Sequence, residues 1–282
     1  MLNFRSIIDL IRPVNSIMVG FAVIVGIAVA SPSSILSTPS LLGFLTGFFI
    51  TSFSMVVNDY YDIEVDKVNR PDRPLPSGTV SLNSAIMLAL ILLIFGIASS
   101  ILISFNNFII ASAFAFLAWL YNFWGKSEGL IGNTMVAGSV AIPYIYGGMA
   151  IGYADNLLLL WLALTSFLAA TGREVVKTIC DMEGDKFRKV RSIARVYGPK
   201  FASIFGAVMF MVAIISSWFP FLIGIVGVIY ALLILIPDAI FMYTSIKILR
   251  SPSESNALHV KNVSLLGMLT GLIAFLVGGI MA

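Results

Sequence analysis

Two carboxylate-rich segments stand at the ends of apolar runs in a chain that otherwise avoids charge. The first is Asn58-Asp59-Tyr60-Tyr61-Asp62, continued to Asp66; the second is Asp181-Met182-Glu183-Gly184-Asp185. Nine of the fourteen acidic residues fall within 58–72 and 173–185, so the acid is concentrated rather than spread as a solubilising surface. If the preceding run continues as a helix, Asn58, Asp62 and Asp66 share one face, and Asp181 and Asp185 do the same further on. Asp59 and Glu64 point off that face. An amide and two carboxylates opposed by two carboxylates make an all-oxygen site. Hard oxygen ligands suit Mg²⁺, which keeps waters and bridges to substrate phosphates. Solvated helix ends with i,i+4 ion pairs would account for either segment alone. The same spacing twice favours held cations, because convergent carboxylates repel one another unless a cation lies between them.

Arg70, Arg73, Arg173, Lys177, Lys186, Arg188 and Lys189 flank the two segments. Part of this basic set serves as a topology signal facing water, and the rest is available to phosphate oxygens through charge-assisted hydrogen bonds. Pro71, Pro74 and Pro76 stiffen the loop 69–78, as a cap over a site or as an ordinary connection. Tyr121 and Lys126 sit near the end of an apolar run, where such residues commonly anchor a chain at the membrane edge. Arg12-Pro13 and Asn15 open the first run. Asn15 is costly against lipid, which leaves a place at the interface or in a cavity.

These residues need an apolar scaffold, and composition supplies it. The 282 residues are 59% hydrophobic and 11% charged, against about 25% charged in soluble domains. The expected fold class is an all-α membrane protein, a single domain over 1–282. Runs long enough to cross a hydrocarbon core of about 30 Å are expected at 13–30, 41–57, 82–103, 107–124, 131–151, 156–179, 199–217, 220–246 and 262–281. The connections after the odd-numbered runs are nearly uncharged, and on this assignment all seventeen Lys and Arg lie on the side of the N-terminus. The positive-inside rule then puts the N-terminus and both acidic segments in the cytoplasm. The expected location is the cell membrane, multi-pass, with the active site facing the cytoplasm. A faint internal echo, four runs apart, suggests two four-helix units and a final helix. Gly43/Gly47, Gly148/Gly152 and Gly267/Gly271 have the spacing of close helix contacts. The single Cys180 forms no internal disulfide or zinc framework, and the lone His259 is expected in a loop near a membrane surface.

A diphosphate held by Mg²⁺ above an apolar bundle points to prenyl transfer. Breaking an allylic C–O bond is eased when the leaving diphosphate is neutralised, and the cationic fragment must be kept from water. Phe53, Phe114, Phe116, Trp119 and Tyr146 are candidate linings, since aromatic faces attract cations, although such residues are more often packing or lipid-facing.

Asn58-Asp59-x-x-Asp62-x-x-x-Asp66 with Asn69-Arg70-Pro71-x-Arg73-Pro74-Leu75-Pro76-x-Gly78 resembles the first signature of the UbiA superfamily of intramembrane prenyltransferases. Asp181-x-x-Gly184-Asp185 resembles the second, and Tyr121 and Lys126 match its Tyr–Lys element. The resemblance covers the whole chain. It implies a helical bundle around a central cavity open to lipid, with two Mg²⁺ ions clamping a prenyl diphosphate. Asn58, Asp62 and Asp66 carry over to one metal site, and Asp181 and Asp185 to the other. Arg70, Lys126, Lys177 and Lys189 carry over as diphosphate contacts. The Ile11–Ser16 opening and the 173–185 stretch resemble the archaeal branch of the superfamily. That branch transfers geranylgeranyl from geranylgeranyl diphosphate to geranylgeranylglyceryl phosphate. On that resemblance Arg12, Asn15, Tyr121 and Arg173 join the substrate-binding set, and the lipid bilayer is the medium for both substrates. An aromatic or porphyrin-type acceptor is the alternative chemistry, and a lipid carrier or transporter the non-enzymatic one. Nothing points to nucleic acid, because the basic residues follow topology. Oligomeric state is not legible.

Overall fold

The structure is a computed structural model that describes the backbone of residues 4–187 and 190–282 and the side chains of 5–183 and 190–282. Among the described residues the regular structure is helical, without strands. A short helix α1 (Phe4–Ile11) precedes α2 (Pro13–Ala30) and α3 (Thr38–Tyr61). The short α4 (Ile63–Asn69) leads through the proline-rich loop to α5 (Leu82–Ile103), α6 (Phe105–Phe123) and α7 (Leu130–Ala150). After these come α8 (Leu157–Phe187), the short α9 (Ile193–Tyr197), α10 (Pro199–Leu222), α11 (Val228–Arg250) and α12 (Glu254–Met281). The echo in the sequence is visible as element order: two long helices, a short one and two long ones, twice, then α12.

Local signals explain several starts. Ser37, Ser81, Ser104 and Ser253 each accept a hydrogen bond from the backbone N–H three residues on, capping α3, α5, α6 and α12. That bond satisfies one of the donors that a helix N-terminus leaves open. Pro13 and Pro199 open α2 and α10 at the first helical position, where a missing N–H costs nothing.

Among the described residues, seven of the nine long helices are long and apolar enough to cross a membrane: α2, α3, α5, α8, α10, α11 and α12. The sequence led us to expect nine such spans. The two that fall short, α6 and α7, are 19 and 21 residues long but carry buried Asn107 and Asn122, and Pro143 with Tyr144 and Tyr146. Their polarity belongs to an interior surface, described below. One expected boundary was misplaced. The turn between α10 and α11 lies at 223–227, not at Trp218–Phe219. Gly224 takes φ +76 there, and Pro220 sits inside the last turn of α10. A continuous apolar run gives no hint of that choice.

The outer surface carries Ile94, Leu102, Phe105, Ile215 and Leu232, each more than half exposed, as a lipid-facing belt would. Inside, α2 and α7 cross with their backbones almost touching. A Cβ at Gly26 would lie 2.2 Å from the Tyr144 carbonyl oxygen, and one at Gly147 would lie 2.2 Å from that of Val23. Of the expected close-approach pairs, Gly43 and Gly47 do face α2. Gly152 instead forms a turn with φ +82. His259 is on α12, exposed, 3.2 Å from the Tyr243 hydroxyl, rather than in a loop.

Candidate active site

A cavity of about 550 Å³ lies between α2, α3, α6, α7 and α8. Its lining runs from Arg12 to Val23, from Asn58 back to Thr46, from Asn122 back to Ile110 and from Met135 to Tyr146. At 1.5 Å per helical residue each wall is about 17 Å deep. The walls are mainly apolar, with Val19, Ile50, Phe114 and Leu117. Polarity gathers at one end, the rim, with Arg12, Asn15, Asn58, Tyr121, Asn122, Glu174 and Lys177. Thr46 and Tyr146 stand at the far end, where Asn107 Nδ2 donates to the Tyr146 backbone carbonyl oxygen at 3.3 Å.

The first acidic segment turns the corner at this rim. α3 ends at Tyr61, and Asp62 sits between α3 and α4 at φ −90, ψ 3. The four-residue spacing survives the break, because the Asp62 N–H donates to Asn58 and the Asp66 N–H to Asp62. Asn58 Nδ2 donates to Asn122 Oδ1 at 2.8 Å, and Asn122 Nδ2 to the Ala118 carbonyl at 2.8 Å. That chain of amides leaves the side-chain oxygen of Asn58 available.

Each carboxylate of this segment holds a cation. Lys126 Nζ lies 2.6 and 2.5 Å from the two oxygens of Asp62. Arg73, from the proline-rich loop, donates to Asp66 at 2.6 Å and to Asp59 at 3.2 Å. Asp59 also accepts from Arg12. On α8, Glu174 takes Arg173 at 2.6 Å on one oxygen and Lys177 at 3.1 Å on the other.

Of the residues singled out in the sequence, Arg12, Asn15, Asn58, Tyr121 and Lys177 line the cavity. Asp62 and Lys126 pair about one turn beyond the rim. Asp66 is buried under Arg73. Asp181 follows Lys177 by one turn of α8. The side chain of Asp185, and Lys189, lie outside the described residues. Arg173 is turned off the wall, toward Glu174 and the Lys261 carbonyl. Arg70 is exposed at the end of α4. Among the described residues no three His, Cys, Asp or Glu side chains are gathered as a metal centre, so the carboxylates stand apart with Lys126 and Arg73 among them. Of the five aromatic candidates, Phe114 and Tyr146 line the cavity. Phe53 is buried in the helix packing, while Phe116 and Trp119 pack on each other at 5.6 Å on the outer face. One-dimensional spacing could not separate these faces.

Three contributors were given no role in the site from the sequence. Asn122 and Glu174 are polar residues buried in apolar helices, and their unusual context is the signal that could have found them. Asp59 lies off the shared face in the helical register, yet it is 3% exposed and holds two guanidinium groups. Only the return of the chain at Arg12 and Arg73 gives it that role.

A bundle with an apolar chamber and an ionic rim is the architecture of an intramembrane prenyltransferase. The UbiA prenyltransferase family profile matches residues 19–266, and the chain belongs to that family. It is therefore a membrane-integral prenyltransferase. It is 34% identical over 99% of both chains to the digeranylgeranylglyceryl phosphate synthase of Thermococcus sibiricus. It is 35% identical to that of Methanocaldococcus jannaschii, over 99% of this chain and 97% of the relative. A solved digeranylgeranylglyceryl phosphate synthase structure superposes with a TM-score of 0.88 at 36% identity, covering 98% of each chain. A UbiA homologue from Archaeoglobus fulgidus, bound to DMAPP and Mg²⁺, shares the fold with a TM-score of 0.75 at 19% identity, over 96% of this chain and 99% of that one.

Proposed function

We propose that this enzyme transfers a geranylgeranyl group from geranylgeranyl diphosphate to the free glycerol hydroxyl of geranylgeranylglyceryl phosphate, making the second ether bond of an archaeal membrane lipid. The observation that carries this reading is the deep apolar cavity with an ionic rim, in a chain so similar over its whole length to digeranylgeranylglyceryl phosphate synthases. With carbon–carbon bonds of about 1.5 Å, the sixteen-carbon backbone of a geranylgeranyl chain zigzags over about 19 Å. That suits a chamber about 17 Å deep with the diphosphate at the rim.

Asn58, Asp62, Asp66, Asp181 and Asp185 would hold Mg²⁺. The donor chemistry fits: the set is all oxygen, the Asn58 amide oxygen is available, and Asp62 already draws an ammonium group. Bound there, Mg²⁺ neutralises charge on the leaving diphosphate. Arg12, Lys126 and Lys177 bring fixed positive charge to the same end of the cavity, with Arg70 and Lys189 from the adjoining segments. Tyr121 and Asn15 supply neutral polar contacts, and Arg173 orients Glu174.

In the transfer, the bond from C1 of the prenyl group to the diphosphate oxygen breaks and its electron pair leaves with the diphosphate. The glycerol oxygen forms the new bond to C1. The hydroxyl proton goes to the departing diphosphate, since Glu174 is already engaged by Arg173 and Lys177. The apolar walls keep water from the allylic fragment. All nine long helices cross the membrane in this reading; α6 and α7 are held by their neighbours, and the rim faces the cytoplasm.

The test is purified protein in lipid nanodiscs with labelled geranylgeranyl diphosphate, offered geranylgeranylglyceryl phosphate, 4-hydroxybenzoate or a naphthoate, with Mg²⁺ or with chelator. Ether product with the glyceryl phosphate, lost on chelation, is expected. Product on an aromatic ring only would reverse the choice of acceptor, and absence of diphosphate release with every acceptor would favour a carrier.

A further inference from the structure

We infer that Asp59 is a positioning residue for the prenyl diphosphate, acting through Arg12; this rests on the prenyl-transfer reading above. Arg12 is the one non-glycine residue among the described residues with positive φ, at φ 46, ψ 68. That left-handed conformation is unfavourable for a residue with a Cβ, and it persists where surrounding contacts hold it. Here it turns the chain between α1 and α2, so that the guanidinium of Arg12 reaches both the cavity wall and Asp59.

Asp59 itself is 3% exposed and does not line the cavity. One of its oxygens, Oδ1, accepts from Arg12 and from Arg73. Arg73 continues to Asp66, so two carboxylates and two guanidiniums form a chain of balanced charge. Its members come from the α1–α2 joint, α3, α4 and the proline-rich loop. The loop is pinned as well: Leu75 and Val80 are buried and pack in one cluster with Leu10 of α1 and Val56 of α3. Arginine carries many rotamers, and fixing them before a ligand arrives removes an ordering cost from binding. Asp59 thus sets the direction of the Arg12 charge while staying out of contact with the substrate. Its position off the Asn58–Asp62–Asp66 face and outside the cavity lining suits that work.

The test uses the full-length protein in detergent, with Mg²⁺ plus inorganic pyrophosphate as the probe, read by titration calorimetry. Steady-state KM values for geranylgeranyl diphosphate and for geranylgeranylglyceryl phosphate are measured alongside. Asp59→Asn and Arg12→Gln should each weaken pyrophosphate binding and raise the donor KM about tenfold, with the acceptor KM within twofold of the parent protein. The double variant should be no weaker than the worse single one, because both changes remove the same contact. If Asp59→Asn binds pyrophosphate normally, or if the two losses multiply, the inference fails while the prenyl-transfer reading stands. A fall in kcat and thermal midpoint with the donor KM unmoved also overturns it, since that is the mark of a merely structural salt bridge. Should Asp59→Asn not fold, Arg12→Gln decides: unchanged pyrophosphate affinity refutes the role. Failure of the parent protein to bind pyrophosphate with Mg²⁺ overturns both readings.

Discussion

Two regions of the helical bundle use their interiors in opposite ways. Around α2, α3, α6 and α7, with one end of α8, the centre is hollow, about 550 Å³, and its wall carries aliphatic and small side chains with the rings of Phe114, Tyr121 and Tyr146. Around α8, α10, α11 and α12 the centre is filled. Phe210 stacks on Phe241 at 5.2 Å, Tyr230 meets Phe275 edge-on at 5.3 Å, and the void left is about 30 Å³. Each half also holds a carboxylate with specific partners, buried at Asp59 and half-buried at Asp238. In the hollow half Asp59 holds two arginines at the rim. In the filled half Asp238 accepts from Trp218 Nε1 at 2.7 Å and from the Ser217 hydroxyl at 3.3 Å. Stacked aromatic side chains fill one region, and the other is left open as a chamber.

The sharpest way to break this contrast is at the rim. Asp62→Ala should lower turnover about a thousandfold, the upper range for losing a group that stabilises charge in the transition state. The helical circular dichroism signal should be kept. Near-parental activity at saturating Mg²⁺ would remove Asp62 from the metal site. Next is the seam between α2 and α7. Gly147→Leu places atoms where the Val23 carbonyl stands, and overpacking of that kind should cost about 3 kcal/mol, seen as a lower thermal midpoint in detergent together with loss of activity. In the filled half, Asp238→Leu leaves the Trp218 N–H without its acceptor, while the Ser217 hydroxyl keeps the Ile214 carbonyl. A loss of about 2 kcal/mol in stability is expected, with the donor KM unchanged. A changed donor KM would show that the two halves are not functionally separate. The mildest change is at the far end of the chamber. Tyr146→Ala should shift preference about tenfold toward a donor one isoprene unit longer, read by competition between the two diphosphates. Unaltered preference would mean that the chain leaves the cavity sideways.

Much of this was legible beforehand for identifiable reasons. Long apolar runs have few ways to satisfy their backbone in lipid, so helices could be placed from composition. The Asn58–Asp62–Asp66 and Asp181–Asp185 spacings survive as helical register because backbone bonds persist through Asp62 and α8 continues to Phe187. The α10–α11 turn was misread because hydropathy is flat across 218–228. Of the nine expected spans, α6 and α7 are the less apolar two, and their Tyr121, Asn122, Pro143 and Tyr146 line a cavity that no single segment encodes. Phe116 and Trp119 were offered beside Phe114 because residue type alone does not say which side of a helix meets lipid.

What the chain determined by itself is its class and its reactive edge: membrane helices, basic residues grouped by loop, and two acidic segments at helical intervals. Those features depend on residues near one another in sequence, where hydrophobicity and the 3.6-residue repeat act directly. The pairing of charges was decided only on folding. Arg12, Asp59, Arg73 and Asp66 come from four separate elements, and Lys126 reaches Asp62 from 64 positions away. Burial makes such pairing decisive, because a charge withdrawn from water must find a partner, and which partner is near depends on how the helices pack.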